Sequence, residues 1–396
     1  MNPSATDSGG ESLTVHQLLR KLAPDYLRRF GPSMPQRHRE VLDRILDCRT
    51  SALGGHLFEC PVCQAVHYRY HSCNDRHCPL CGQTDADQWL RRQQARLLLP
   101  VPYFLVTFTV PEALRLFIRS HQQIALDRLF GASAQALQDL ARNPRHLGAT
   151  LGMLGVLHTW SRTLIYHPHI HYLVPGGGLS HDHRQWVTAR PNFLLPLRPL
   201  GLRYRNLFRQ DLEKNHPELL KQVPAKVWKR HWNVDIRPVG SGENALRYLS
   251  RYVFKTATSN RPVPLRPNGK IRWTYRESKT GKPTSLVLDG LAWMGRFLQH
   301  ILPSGFARVR TFGWLHPAAK VRANRVRALL RQPPLLTPAE RQTWNPPLDP
   351  DLSPDPQPVQ PPTDPVPLRC PRCGQPMRHT ASWFAGEPVP PPHRPP

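Results

Sequence analysis

The sequence predicts an α+β protein in three parts. A sheet with helices packed on one face is preceded by a small helical, cysteine-rich module and followed by a proline-rich, largely disordered tail. Three observations carry this. Short β-branched and aromatic runs alternate with helix-period segments in the order strand, helix, strand, strand, strand, helix. Six of the eight cysteines fall between Cys48 and Cys81. Nearly half of the 45 prolines lie beyond residue 330, a composition that cannot bury a core.

Residues 1–12 read as a flexible N-terminus. From 13 to 100, Val15, Leu18, Leu19 and Leu22 and then Val41, Ile45 and Leu46 recur at helical spacing ahead of the cysteines, and a helix is expected over 85–98. Between 101 and 332, the run 103–110 is β-branched and aromatic and stops at Pro111, as a buried strand does. A helical pattern over 112–142 follows, then strands at 151–159 and 169–174, the latter closed by a turn at Pro175-Gly176-Gly177-Gly178. A strand at 234–239 leads through Gly240-Ser241-Gly242 to an amphipathic helix with Ser241 as its cap. Strands at 271–275 and 285–288 and a helix over 290–301 complete this part. Within the tail, 333–396, only 368–384 is expected to order locally.

Lys and Arg number 54 against 27 Asp and Glu, a formal net charge of +27. A compact state with that excess repels itself unless a polyanion lies close, so nucleic acid is the expected partner, ahead of an anionic membrane surface. No apolar run reaches the roughly 18 residues of a spanning helix, and the polar start carries no secretory pattern. A cytoplasmic location is therefore expected, where cysteines serve as metal ligands rather than disulfides. Cys60-Pro61-Val62-Cys63 and Cys78-Pro79-Leu80-Cys81 form two CxxC knuckles, expected to share one tetrahedral Zn²⁺ whose closed thiolate shell is structural. Cys48 and Cys73, with His67, His71 and His77 nearby, belong either to a second zinc site or to the packing around the first. Arg69, Arg76, Arg91 and Arg92 flank the module and suit a phosphate backbone. Cys370 and Cys373 form half a knuckle, for which His379 and His393 are candidate partners.

His169 and His171 share one face of a strand, with Ile170 and Tyr172 packing behind. Two such imidazoles bind one divalent cation if a neighbouring element brings a third ligand. His158 is the first choice, with His167 and Glu243 as alternatives. Tyr248 and Tyr252 share a helix face, beside a basic stripe of Arg247, Arg251 and Lys255 suited to phosphates flanking a scissile bond. A tyrosine oxygen attacking phosphorus on single-stranded DNA gives a 5′-phosphotyrosine and a free 3′-hydroxyl, a link that can be rejoined without ATP.

The run His167-Pro168-His169-Ile170-His171-Tyr172-Leu173-Val174-Pro175-Gly176-Gly177-Gly178 and the run Arg247-Tyr248-Leu249-Ser250-Arg251-Tyr252-Val253 resemble the HUH and double-tyrosine motifs of rolling-circle insertion-sequence transposases, the insertion-sequence-ninety-one family. The likeness covers nearly everything from 15 to 320, including Ser72 to Cys81 and Arg296 to Phe306. It implies a transposase that nicks one strand at the element's single-stranded ends and moves a single-stranded copy. It further implies Mg²⁺ or Mn²⁺ at His169 and His171, Tyr248 and Tyr252 as nucleophiles, and an antiparallel HUH-nuclease palm sheet. It fixes no third ligand and does not explain the tail. A plasmid or phage replication initiator or relaxase shares this chemistry, and a non-catalytic zinc-dependent DNA-binding protein shares the module.

Overall fold

The structure, a computed structural model, describes residues 10–253, 258–277, 280–336 and 368–392. In chain order its first elements are β1 (Glu11–Thr14), α1 (Val15–Phe30), α2 (Gln36–Asp47), β2 (Gly54–Glu59), β3 (Val66–Tyr70) and α3 (Gln83–Leu97). Next come β4 (Tyr103–Thr109), α4 (Gln122–Arg142), β5 (Ala149–Thr150), β6 (Gly152–Trp160), β7 (Tyr166–Pro175), β8 (Gly177–Ser180) and β9 (Trp186–Thr188). The remainder are α5 (Leu197–Asn215), β10 (Val234–Pro238), α6 (Glu243–Val253), β11 (Pro262–Leu265), β12 (Lys270–Arg276), β13 (Pro283–Asp289), α7 (Gly290–Leu298), β14 (Val309–Gly313), α8 (Lys320–Leu329) and β15 (Arg378–Phe384).

β10, β4, β7, β6 and β14 form, in that order, a wholly antiparallel five-stranded sheet. On one face Phe104, Val106 and Phe108 of β4 and Ile170, Tyr172 and Val174 of β7 pack against Phe130 of α4 and Tyr204 and Phe208 of α5. On the other, Leu154, Val156 and Leu173 meet Leu246 and Leu249 of α6, backed by Leu97 of α3 and Val326 of α8. Helices therefore cover both faces, not the one expected from the sequence. The cause is visible in β6, where residues of both parities are apolar and every position is buried, so neither face can be left to water. Each fully buried Leu or Phe contributes about 1.5–3 kcal/mol.

The expected turn after β7 is instead a one-residue bend. Gly176 carries the chain from the central sheet into β8 of the small sheet β5-β8-β9. A Cβ at Gly176 would stand 2.7 Å from the Pro102 carbonyl oxygen, and the close approach lets Gly176 N–H donate to that oxygen at 2.6 Å.

The cysteine-rich region is not simply helical, because β2 and β3 form a hairpin that pairs with β15 from the other end of the chain. Ahead of it, α1 starts at a capping box: the Thr14 hydroxyl accepts from Gln17 N–H while the Gln17 side-chain oxygen accepts from Thr14 N–H. Val15, Leu18 and Leu19 of α1 and Val41, Leu42 and Ile45 of α2 then share a core with Val263, Ile271 and Trp273 of the sheet β1-β11-β12-β13 and with Trp293 and Phe297 of α7. Residues 337–367 of the tail, on which the expectation of disorder mainly falls, lie outside the described residues. Among the described residues no helix is long and apolar enough to cross a membrane.

Candidate active site and metal centres

β7 and β6 pair so that His169 lies opposite His158 and His171 opposite Val156. The two-residue period of each strand turns all three imidazoles to the face covered by α6. One ring nitrogen from each of His158, His169 and His171 lies within 4.8 Å of the others. The His169 Nδ1 donates to the His167 carbonyl at 2.6 Å, which leaves its Nε2 lone pair for a ligand. His171 Nδ1 is held by the Thr107 hydroxyl of β4 at 2.9 Å. Burial lowers all three imidazoles from their ordinary 6.5, His158 to well below it, His169 to about 4 and His171 to about 3. Neutral imidazole is the form that binds a metal ion, so the trio fits a divalent cation without first having to lose protons. Of the alternative third ligands, His167 lies with its ring tilted against that of His169, centroids 5.2 Å apart, but stands outside this group, and Glu243 pairs with Arg247.

The tyrosine helix begins one residue later than a Ser241 cap requires. Gly242 precedes α6, and its carbonyl accepts the first helical bond, from Leu246 N–H at 2.8 Å. Its φ of +77° and a Cβ position only 2.6 Å from the Tyr103 ring exclude other residues there. From this start α6 presents Tyr248 above the histidines, with ring centroids 6.1 Å from His171 and 6.3 Å from His158. Tyr248 is 40% exposed, so its ring bridges the buried trio and solvent. Tyr252 and Arg251 follow on the same helix, but their side chains lie outside the described residues, as does all of Lys255.

The cysteines form two groups, not one shared site with satellites. Cys48, Cys73, Cys78 and Cys81 gather with all four sulfurs within 4.8 Å, and so do Cys60, Cys63, Cys370 and Cys373. Sharing between the knuckles is prevented by the hairpin: Cys60 and Cys63 sit in the turn between β2 and β3, whereas Cys78 and Cys81 lie in the loop that opens α3. In the first group Cys48 caps α2 and the Cys81 sulfur stands 3.6 Å from Cys48 and 3.8 Å from Cys73. Hydrogen bonds from the neighbouring thiols hold the Cys81 thiol below its ordinary value. His379 is bonded to Ser382 and stands outside this group, and His393 lies outside the described residues.

A model of a family described as "Putative transposase" matches residues 152–324, and one described as "Transposase zinc-binding domain" matches residues 18–110. "Putative transposase y4qJ" of Sinorhizobium fredii (strain NBRC 101917 / NGR234) is 36% identical over 316 residues, 74% of this chain and 79% of the relative. The chain belongs to the insertion-sequence-ninety-one transposase family. The transposase for insertion sequence element IS801 of Pseudomonas savastanoi pv. phaseolicola is 29% identical over 304 residues, 70% of each chain. No solved structure matches this transposase.

The zinc-binding match gives the cysteine region of the transposase its structural metal, and four gathered thiols are the donor set Zn²⁺ prefers. Arg76 of this region donates to the Phe306 carbonyl at 2.7 Å and lines a groove with Arg37, Arg44 and Arg308. Arg247 is ion-paired with Glu243 at 2.9 Å. Sequence reasoning missed Thr107 and the stack above His158. There Trp160 lies parallel to the His158 ring at 5.1 Å, and the Arg308 guanidinium is 5.7 Å from the indole. Arg308 is buried, which lowers its pKa to about 9, still charged at neutral pH. Only the pairing of β14 with β6 brings it there, and nothing local in the sequence signals that.

Proposed function

We propose that this transposase cuts and rejoins single-stranded DNA at the ends of its element in rolling-circle transposition. Tyr248 and Tyr252 are the nucleophiles, and His158, His169 and His171 hold a divalent cation, Mg²⁺ or Mn²⁺. The observation that carries this reading is the convergence of three neutral imidazoles beneath the Tyr248 ring. It also supports an HUH-type palm for the five-stranded sheet.

When bound, the cation polarises a phosphate oxygen and spreads the charge that develops during displacement. The Tyr248 oxygen, having given up its proton to solvent, attacks phosphorus. The bond from phosphorus to the 3′ oxygen breaks, and that oxygen leaves and takes up a proton. The resulting 5′-phosphotyrosine conserves the energy of the bond, so attack by a 3′-hydroxyl rejoins DNA without ATP. Tyr252, one helical turn along, opens a second end while the first is held. Arg247, Arg251 and Lys255 neutralise the flanking phosphates. The exposed Arg247–Glu243 pair contributes at most about 1 kcal/mol, so a phosphate displaces Glu243 readily.

The test incubates the transposase with a labelled single strand of the element terminus and Mg²⁺, followed by a denaturing gel and peptide mapping of the adduct. Tyr248→Phe and Tyr252→Phe are each expected to abolish transposition while leaving DNA binding nearly unchanged. Undiminished activity in the double variant would refute the assignment. Cutting at a plasmid origin but never at element ends would favour a replication initiator or relaxase.

A further inference from the structure

The second cysteine group joins the two ends of the chain. Cys60 and Cys63 belong to the matched zinc-binding region, but Cys370 and Cys373 lie beyond both matched regions. The two knuckles are near copies in sequence and backbone. Cys60-Pro61-Val62-Cys63-Gln64 and Cys370-Pro371-Arg372-Cys373-Gly374 each close with a bond from the fifth residue's N–H to the first cysteine's carbonyl, at 3.0 and 2.8 Å. Gln64 and Gly374, the closing residues, both take positive φ, +55° and +74°. In each, the first cysteine's N–H donates to the carbonyl of the residue after that, Ala65 at 2.9 Å and Gln375 at 2.8 Å. The Arg372 N–H also points at the Cys370 sulfur, at 3.4 Å, the contact that stabilises a thiolate.

Facing each other, the knuckles place Cys60 Sγ 3.5 Å from Cys373 Sγ and Cys63 Sγ 3.5 Å from Cys370 Sγ. Four thiolates at about 2.3 Å from one tetrahedral Zn²⁺ stand about 3.8 Å apart, whereas a disulfide needs about 2.05 Å. The spacing matches a shared ion and is close to that of the first cluster, 3.6 and 3.8 Å.

An independent set of contacts holds the same segment in place. β15 pairs along the whole of β2, from Arg378 opposite Glu59 to Phe384 opposite Gly54. Trp383 is buried to 2% exposure, its ring so close to Gly55 that a Cβ there would stand 2.7 Å away. Tyr68 and Tyr70 of β3 meet the indole edge-on at 6.0 and 5.9 Å.

We propose that Cys60, Cys63, Cys370 and Cys373 bind a second structural Zn²⁺, and that this ion staples the C-terminal segment onto the β2–β3 hairpin. The cysteine-rich module is then built from both ends of the chain, with β15 as its third strand. It is complete only when the C-terminal segment is present. Formation of the site releases the protons of the four thiols to solvent and needs no oxidant.

The experiment counts zinc in the purified full-length protein by elemental analysis and maps alkylation of its cysteines by mass spectrometry. Wild type is expected to hold two zinc ions per chain with all eight cysteines protected. Cys370→Ser with Cys373→Ser lowers the count to one, Cys60→Ser with Cys63→Ser does the same, and combining the two pairs still leaves one. Cys373→His, which keeps four ligands, retains two ions. One zinc in wild type, or free alkylation of Cys370 and Cys373 beside protected Cys60 and Cys63, overturns the proposal even if every variant aggregates.

Discussion

Cys48, Cys73, Cys78 and Cys81 come from a helix end and the loops around it, and they leave no side of a tetrahedron open. His158, His169 and His171 come from two adjacent strands of a sheet buried on both faces, and Tyr248 stands over them with 40% of its surface in solvent. One group is four thiols, the closed donor set of a structural Zn²⁺. The other is set by strand register, because β6 and β7 pair through backbone bonds that owe nothing to the imidazoles. A site held by its scaffold can leave a position for substrate, whereas a closed shell serves folding.

Brief chelation is the strongest way to break this contrast. Dilute EDTA is expected to lower adduct formation by about a thousandfold or more, with recovery on adding Mg²⁺ or Mn²⁺. The zinc content, measured on the same sample, stays unchanged. Loss of zinc in step with activity would mean that the two kinds of site are not separately held. The converse substitution acts on folding. Cys78→Ser with Cys81→Ser should cost on the order of 5 kcal/mol, because Cys48, Cys78 and Cys81 are part of the core shared by α1, α2 and α7. His169→Ala should leave the melting temperature within a few degrees of wild type. Equal melting temperatures for the two variants would contradict a structural role for the cysteine cluster.

What the sequence made legible follows the same division. The periods of β4, β6, β7 and α6 are local, so His169 and His171 on one face, with Ile170 and Tyr172 behind, could be read before any strand was paired. His158 was inferred from its neighbouring strand, and the register opposite His169 bears on it. Knuckle pairing was not legible, because a CxxC turn carries no information about which other CxxC it meets. Cys60 meets Cys373 across 313 residues. Nor was the second helical layer legible, although Leu154 and Val156 alternating with Met153 and Leu157 held the hint of two buried faces. Arg308 enters only through β14, and charge alone could not distinguish it from the many arginines of a chain with a net charge of +27.

Acid sharpens the comparison from the side of a histidine outside the candidate metal groups. His300 is fully buried between the Thr159 hydroxyl and the Leu164 carbonyl, each at 3.2 Å, and burial lowers its pKa to about 3. The unfolded chain, with an ordinary value of 6.5, takes up this proton first. Stability is therefore complete above about pH 6.5 and falls as pH drops toward 3, by about 2 kcal/mol at pH 5. In His300→Gln, the gap in unfolding free energy between pH 7 and pH 5 should narrow by that amount, read from urea titrations of metal-loaded protein. An unchanged gap would show that His300 is already protonated in the fold.

The smallest expected effect tests how far the scaffold alone sets the triad. Thr107 supplies no candidate ligand itself; its hydroxyl, on the neighbouring strand β4, meets the candidate ligand His171 at Nδ1, 2.9 Å away. Thr107→Val keeps the shape and the β-branched preference for a strand and removes only that bond. An outer partner of a metal-binding histidine is worth about 10–100-fold in affinity, and a neutral hydroxyl belongs at the lower end. The Mn²⁺ concentration giving half-maximal adduct formation should rise about tenfold, while DNA binding in metal-free buffer and the melting temperature hold. If half-saturation does not move, strand register alone orients His171. If the melting temperature falls in parallel, the bond supports the sheet and not the ion.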